Sequence, residues 1–109
     1  MTTGRRPGYA GVALLKALKS GARYGLDLME ATELPSGTVY PQMRRLEQRG
    51  FVRSAWEAGD AAREHGRPRR RYYEITPEGE IALAEAIAQF VSLTAPAAPQ
   101  VRRPAVRDA

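Results

Sequence analysis

The chain has no cysteine and a single histidine, His65. That excludes a disulfide framework, a thiol nucleophile and a zinc site built from the usual Cys and His donors. No apolar run approaches the roughly 20 residues that cross a bilayer. The opening MTTGRRPGYAG lacks the unbroken apolar stretch of a secretory signal, so a cytoplasmic protein without membrane contact is expected. There is no phosphate-cradling glycine loop and no carboxylate pair set beside a nucleophile, which argues against an enzyme, and no cofactor or metal is expected. Lysine is scarce too: of 17 basic residues only Lys16 and Lys19 are not arginine.

What is present is positive charge, a formal +5 on 109 residues, 43% of them apolar, enough for one domain with one modest core. Arginine in excess suits an anionic partner, because its planar guanidinium makes paired contacts with phosphate or guanine. The charge is unevenly placed. It gathers on residues 35–75 and at the chain ends, while the segments 21–34 and 76–93 are acidic. Such segregation reads as an electrostatic footprint with a separate interaction helix.

The periodicity gives the elements. Val12, Leu14, Leu15 and Leu18 form the stripe of a first helix from Gly11 to Lys19, stopped at Ser20-Gly21, and Tyr24 and Leu28 mark a short second helix to about Thr32. Val39, Met43 and Leu46 mark a third, which follows Leu34-Pro35-Ser36 and closes on Gly50 as the residue after its C-cap. Proline deep in a helix loses a backbone bond and clashes with the carbonyl four residues back, so Pro41 predicts a regular start near Gly37 or Thr38, or an irregular first turn. Phe51, Val52 and Trp56, then Arg71 to Ile75, are two strands separated by a Gly-, Asp- and Arg-rich hairpin loop from Ala58 to Arg70. Thr76-Pro77-Glu78 opens a last helix running to about Leu93. Apolar residues occupy roughly 240° of its circumference, against the roughly 100° that covering one side of a domain requires. One stripe holds Ile81, Ala84, Ala88 and Val91, another Leu83, Ile87 and Phe90. The surplus predicts self-association through Leu83, Ile87, Phe90 and Val91, the alternative being burial within the chain's own core.

Three helices, a hairpin with a basic loop and a closing helix describe a mainly α protein with a small β-hairpin, a winged helix-turn-helix with a C-terminal dimerisation helix. The domain reading is a flexible basic N-terminus over 1–8, a winged-helix DNA-binding domain over 9–75, the dimerisation helix over 76–93 and a disordered basic tail over 94–109. With Val39, Met43 and Leu46 inward, Ser36, Gly37, Thr38, Tyr40, Gln42, Arg44 and Arg45 turn outward to varying degrees as candidates for phosphate and base contact. In the hairpin Arg63, Arg67, Arg69, Arg70 and Arg71 form a basic tip that could straddle phosphates, with Arg67, Arg69 and Arg70 as the site candidates and Glu57, Asp60 and Glu64 as competing partners. Tyr24, Trp56, Tyr72 and Tyr73 read as packing residues. A winged helix that binds an acidic protein instead of DNA is the competing function.

At these residues the chain resembles the PadR family of bacterial transcriptional regulators: Arg23-Tyr24-Gly25, Leu34-Pro35-Ser36-Gly37-Thr38-Val39-Tyr40-Pro41, Arg45-Leu46-Glu47, Gly50-Phe51-Val52, Gly66-Arg67-Pro68, Arg70-Arg71-Tyr72-Tyr73 and Thr76-Pro77-Glu78-Gly79. The resemblance covers roughly residues 9–93, and its single closing helix is that of the short subgroup. It implies a homodimeric winged-helix repressor on a pseudo-palindromic operator in double-stranded DNA, released by a small molecule or stress signal. It also implies DNA recognition by Ser36, Gly37, Thr38, Tyr40 and Arg44, with Arg67 and Arg69 in the wing. Some short relatives hold flat aromatic drugs between tryptophans in a dimer pore. Here the only tryptophan, Trp56, lies on the first strand, so the effector stays open.

Overall fold

Leu14, Leu15, Leu28, Val39 and Met43 are sealed from solvent and form one cluster with Leu18, Leu46, Val52, Tyr73 and Leu83. The computed structural model describes residues 7–94, so expectations for 1–6 and 95–109 lie outside it. Its elements are α1 (Tyr9–Lys19), α2 (Gly25–Thr32), α3 (Ser36–Gln48), β1 (Val52–Trp56), α4 (Gly59–Glu64), β2 (Arg71–Ile75) and α5 (Pro77–Thr94). The cluster draws on α1, α2, α3, α5 and both strands because each presents one apolar face, and full burial of a Leu or Met side chain stabilises by about 1.5–3 kcal/mol.

Helix α3 ends where Gly50 adopts φ 81°, a left-handed conformation that other residues rarely adopt. The amide of Gly50 then bonds the Glu47 carbonyl and that of Phe51 the Leu46 carbonyl, satisfying the last turn. Helix α1 closes with the same pair of bonds, from Gly21 to Leu18 and from Ala22 to Ala17.

Helix α3 starts one residue before the Gly37 that Pro41 suggests, and with a first turn that is not regular α-helix throughout. The helix begins at Ser36, with Pro41 inside it. The first turn is tight, the amides of Thr38 and Val39 both bonding the Pro35 carbonyl. Pro41 is tolerated because the carbonyl it deprives belongs to Gly37, which is exposed and can turn to water.

Strands β1 and β2 pair antiparallel from Val52↔Ile75 to Trp56↔Arg71. The ladder gains a third edge where Tyr24 bridges Tyr72 and the Tyr73 amide bonds the Arg23 carbonyl, so the wing is pinned to the start of α2. The expected loop between the strands contains the short helix α4, braced by Arg63 on Asp60 at 2.6 Å.

Thr76 joins wing to closing helix. Its hydroxyl donates to the Gly50 carbonyl at 2.6 Å and accepts the Gly79 amide at 3.0 Å, which caps α5. Gly79 lies so close to the Phe51 carbonyl that a Cβ there would overlap it. One stripe of α5, Gly79, Ala82, Leu83 and Ala86, is buried at the i, i+3, i+4, i+7 spacing. Leu83 is therefore a core residue, 3% exposed, and not part of the surface seam expected of it. Ile81, Ile87, Phe90, Val91 and Leu93 are left uncovered, Phe90 at 62% and Leu93 at 76%. No helix among the described residues is long and apolar enough to cross a membrane.

Candidate nucleic-acid interface

Successive residues of a helix are 100° apart, so burial of Val39, Met43 and Leu46 fixes which side of α3 faces out. Gly37, Pro41, Arg44 and Gln48 centre the outward arc. Tyr40 and Glu47 flank it on one side, Arg45 and Thr38 on the other, and Gln42 borders the buried side and is half-buried. Ser36 and Gly37 are exposed at the first turn, where the amides of Thr38 and Val39 are already satisfied by Pro35 and those of Ser36 and Gly37 have no intrahelical acceptor.

The wing meets the Tyr40 flank. Glu47 accepts hydrogen bonds from Ser54 Oγ of β1 at 2.8 Å and from Arg71 Nη2 of β2 at 3.3 Å. Arg71 also donates to Ser54. Trp56, 55% exposed, carries the guanidinium carbons of Arg69 and Arg71 at 5.9 and 5.7 Å from its ring centroid. Arg70 lies 4.7 Å over the Tyr24 ring. Cation–π contacts of this kind hold a long side chain in place at little cost to its hydrogen-bonding capacity.

Between these contacts lies an open groove of about 560 Å³ whose lining includes Tyr24, Tyr40, Arg44, Glu47, Trp56 and Arg69, with Arg70, Arg71 and Tyr73 also facing it. Tyr40 leans its phenol on the backbone of Gly25, leaving no room for a side chain there, so it both packs and faces the groove. Burial pushes the Tyr73 phenol above its ordinary value, so it stays neutral and able to donate.

Of the candidates, the structure brings Tyr40, Arg44, Arg69 and Arg70 together in the groove. Ser36, Gly37, Thr38, Gln42 and Arg45 share α3 but do not line it. Among the described residues, the guanidinium groups of Arg44, Arg45, Arg69 and Arg70 form no ion pair with a carboxylate. Arg67 differs. Its two terminal nitrogens donate to Glu57 at 2.5 and 2.8 Å, and its side chain is 24% exposed. The two hydrogen bonds hold the Glu57 carboxyl down to about 2 against the opposing effect of burial, and raise the Arg67 guanidinium above its ordinary value.

Sequence reasoning counted Arg71 with the basic residues of the hairpin and Glu47 only within a family motif, did not foresee their contact, and gave Trp56 a packing role. The signal for Trp56 and Arg71 was present in the strand register: once Val52 opposes Ile75, alternation sets Trp56 opposite Arg71. Glu47 carried no comparable signal, since its partners come from strands far along the chain.

Residues 14–85 match the Transcriptional regulator PadR-like family. The structure is similar to a PadR family transcriptional regulator from Eggerthella lenta DSM 2243, at 33% identity and TM-score 0.64, over 76% of this chain and 72% of that one. It is also similar to a PadR family transcription regulator from Clostridium difficile R20291, at 25% identity and TM-score 0.65, over 79% of this chain and 90% of that one. At 19% identity, the fold is shared with Bordetella bronchiseptica BpsR, a protein whose DNA binding is regulated by 6-hydroxynicotinic acid, at TM-score 0.67 over 93% of this chain and 75% of that one. No curated protein gives a significant match. With the matched stretch running from α1 into α5 across the whole winged unit, the chain belongs to the transcriptional regulator PadR-like family.

Proposed function

We propose that the protein is a homodimeric repressor that binds a pseudo-palindromic operator in double-stranded DNA and is released by a small molecule or stress signal. The observation that carries this reading is the groove in which Arg44 of α3 and Arg69, Arg70 and Arg71 of the wing face the same space. A recognition helix and a wing must address one duplex together, the first through the major groove and the second along the neighbouring backbone.

Arg44 and Arg45 offer paired donors to guanine or phosphate, Gln42 and Thr38 donors and acceptors to base edges, and Ser36 and Gly37 their amides to phosphate. Tyr40 offers its hydroxyl at the groove. Arg69 and Arg70 meet the backbone outside the major groove. The second copy is held through Ile87, Phe90 and Val91, which like Ile81 and Leu93 on the same helix are apolar and left exposed among the described residues. Two copies related by a two-fold axis read two half-sites, hence the pseudo-palindrome. Control by a small molecule is favoured by the fold shared with BpsR, in which a ligand acts on DNA binding.

Selection of bound sequences from random duplex DNA tests the reading. The expected result is enrichment of two related half-sites about 10 base pairs, or a multiple, apart, with affinity falling steeply with salt, each neutralised phosphate contributing about −0.9 to the logarithmic slope. Binding without sequence preference, or none, overturns it and favours the protein-adapter function.

A further inference from the structure

Glu57 is an acid in the most basic part of the molecule. It follows Trp56, the last residue of β1, and is 9% exposed. Its carboxylate takes both terminal nitrogens of Arg67, and Oε1 also accepts the Arg70 amide at 3.3 Å. Its own amide donates to the Arg70 carbonyl at 2.7 Å, and its carbonyl accepts Arg69 Nε at 2.8 Å. Bonds from Arg67, Arg69 and Arg70 thus converge on one residue just past the last strand pair, Trp56↔Arg71.

We propose that Glu57 is a positioning residue for duplex binding: with Arg67 as its partner, it fastens the far end of the wing so that Arg69 and Arg70 are held facing the groove. The inference rests on the DNA-binding reading above and assigns Arg67 to the fastening instead of to the phosphate backbone. A two-pronged Arg–carboxylate contact fixes distance and angle together. It closes the long connection between the strands at its base, where an unfastened loop would carry the entropy of many conformers. Arg69 keeps both terminal nitrogens for an incoming phosphate, because only its Nε is used by Glu57. The Arg70 guanidinium remains on the Tyr24 ring while its backbone is held at both ends.

The proposal and simple electrostatics predict opposite signs. On a surface where only charge counts, removing an acid beside arginines tightens binding to a polyanion. If Glu57 positions the wing, removing it weakens binding although the protein becomes more positive.

The experiment compares the full chain with Glu57→Gln, Arg67→Gln and the double variant on a duplex obtained by selection. Melting, oligomeric state and the exchange rate of the Arg70 amide are measured in parallel. Expected for Glu57→Gln are about tenfold weaker binding, a salt slope shallower by about one, and faster exchange at Arg70, with dimerisation kept. Arg67→Gln behaves alike, and the double variant is no weaker than either single one. Unchanged or tighter binding by Glu57→Gln overturns the proposal. So does a further loss when Arg67→Gln is added to Glu57→Gln, which would place Arg67 on the DNA. If Glu57→Gln fails to fold, Arg67→Gln decides by the exchange of the Arg70 amide: faster exchange together with weaker binding supports the fastening, and weaker binding with unchanged exchange, which would place Arg67 on the DNA, overturns it. If the unaltered protein binds no duplex, the functional reading fails and takes the inference with it, whereas faster Arg70 exchange still reports the fastening itself.

Discussion

Arg71 on β2 and Ser54 on β1 bind opposite oxygens of one carboxylate, that of Glu47 on α3, at 3.3 and 2.8 Å. The wing is thereby tied to the helix it accompanies, and Arg44, one turn before Glu47, opens onto the same groove as Arg69.

The two arginines should nevertheless fail differently. Arg44→Ala is expected to lower affinity for the selected operator by about 1–3 kcal/mol and to relax preference at one base pair, as loss of a base contact does. Arg69→Ala should weaken all duplexes evenly and reduce the salt slope by about one. Competition binding across single-base operator variants checks both. Equal loss on every sequence for Arg44→Ala would remove it from base recognition.

On α5, the contrast between Leu83 and Phe90 supplies a second test. Phe90→Asp or Ile87→Asp places charge in an exposed apolar seam and should yield folded monomers by sedimentation. Leu83→Ala leaves a cavity in the core and should cost about 2–5 kcal/mol in urea unfolding extrapolated to the monomer. A dimer that survives both aspartates would locate the partner elsewhere.

Acid should loosen the wing. The Glu57 carboxyl sits at about 2 in the folded chain against 4.5 ordinarily, chiefly through its hydrogen bonds from Arg67. A folded-state value below the unfolded one means that its contribution is complete above 4.5 and disappears as pH falls through about 2. Melting temperature should therefore fall across that window, and Glu57→Gln should flatten this part of the fall. Parallel curves for the two proteins would show that the pair adds nothing.

Gly79→Ala sets two effects against each other. Alanine is favoured over glycine within a helix by about 1 kcal/mol, but here its Cβ runs into the Phe51 carbonyl, which is backbone and cannot step aside. Overpacking of this kind costs about 1–3 kcal/mol or more. Net destabilisation is expected, read as a lower urea midpoint, and a raised midpoint would show that the contact is loose.

Elements whose information is local were legible in the sequence. Gly50 and Thr76 carry chain-reversal and capping chemistry within a few residues, and Val39, Met43 and Leu46 declare the buried side of α3 by spacing alone. Partner choice was not legible. The two apolar stripes read on α5 do not say what meets the chain's own core: the buried one, Gly79, Ala82, Leu83 and Ala86, takes only Leu83 from them, which depends on where α1 and β2 come to rest. The same holds for Arg67, whose partner depends on how the hairpin folds back. Helix α4 escaped notice because its six residues carry no apolar periodicity.

The junction at Thr76 and Gly79 has a mechanical meaning. Tied by hydroxyl to Gly50 and wedged against Phe51, it is an elbow between the winged unit, the proposed reading head, and α5, the proposed dimer beam. In the proposed dimer a slight rotation where the two beams cross would pass through this junction to both heads, shifting them against the pitch of the duplex. Such an assembly would work as a ruler, and the proposed effector would need only to alter the crossing to spoil the measurement.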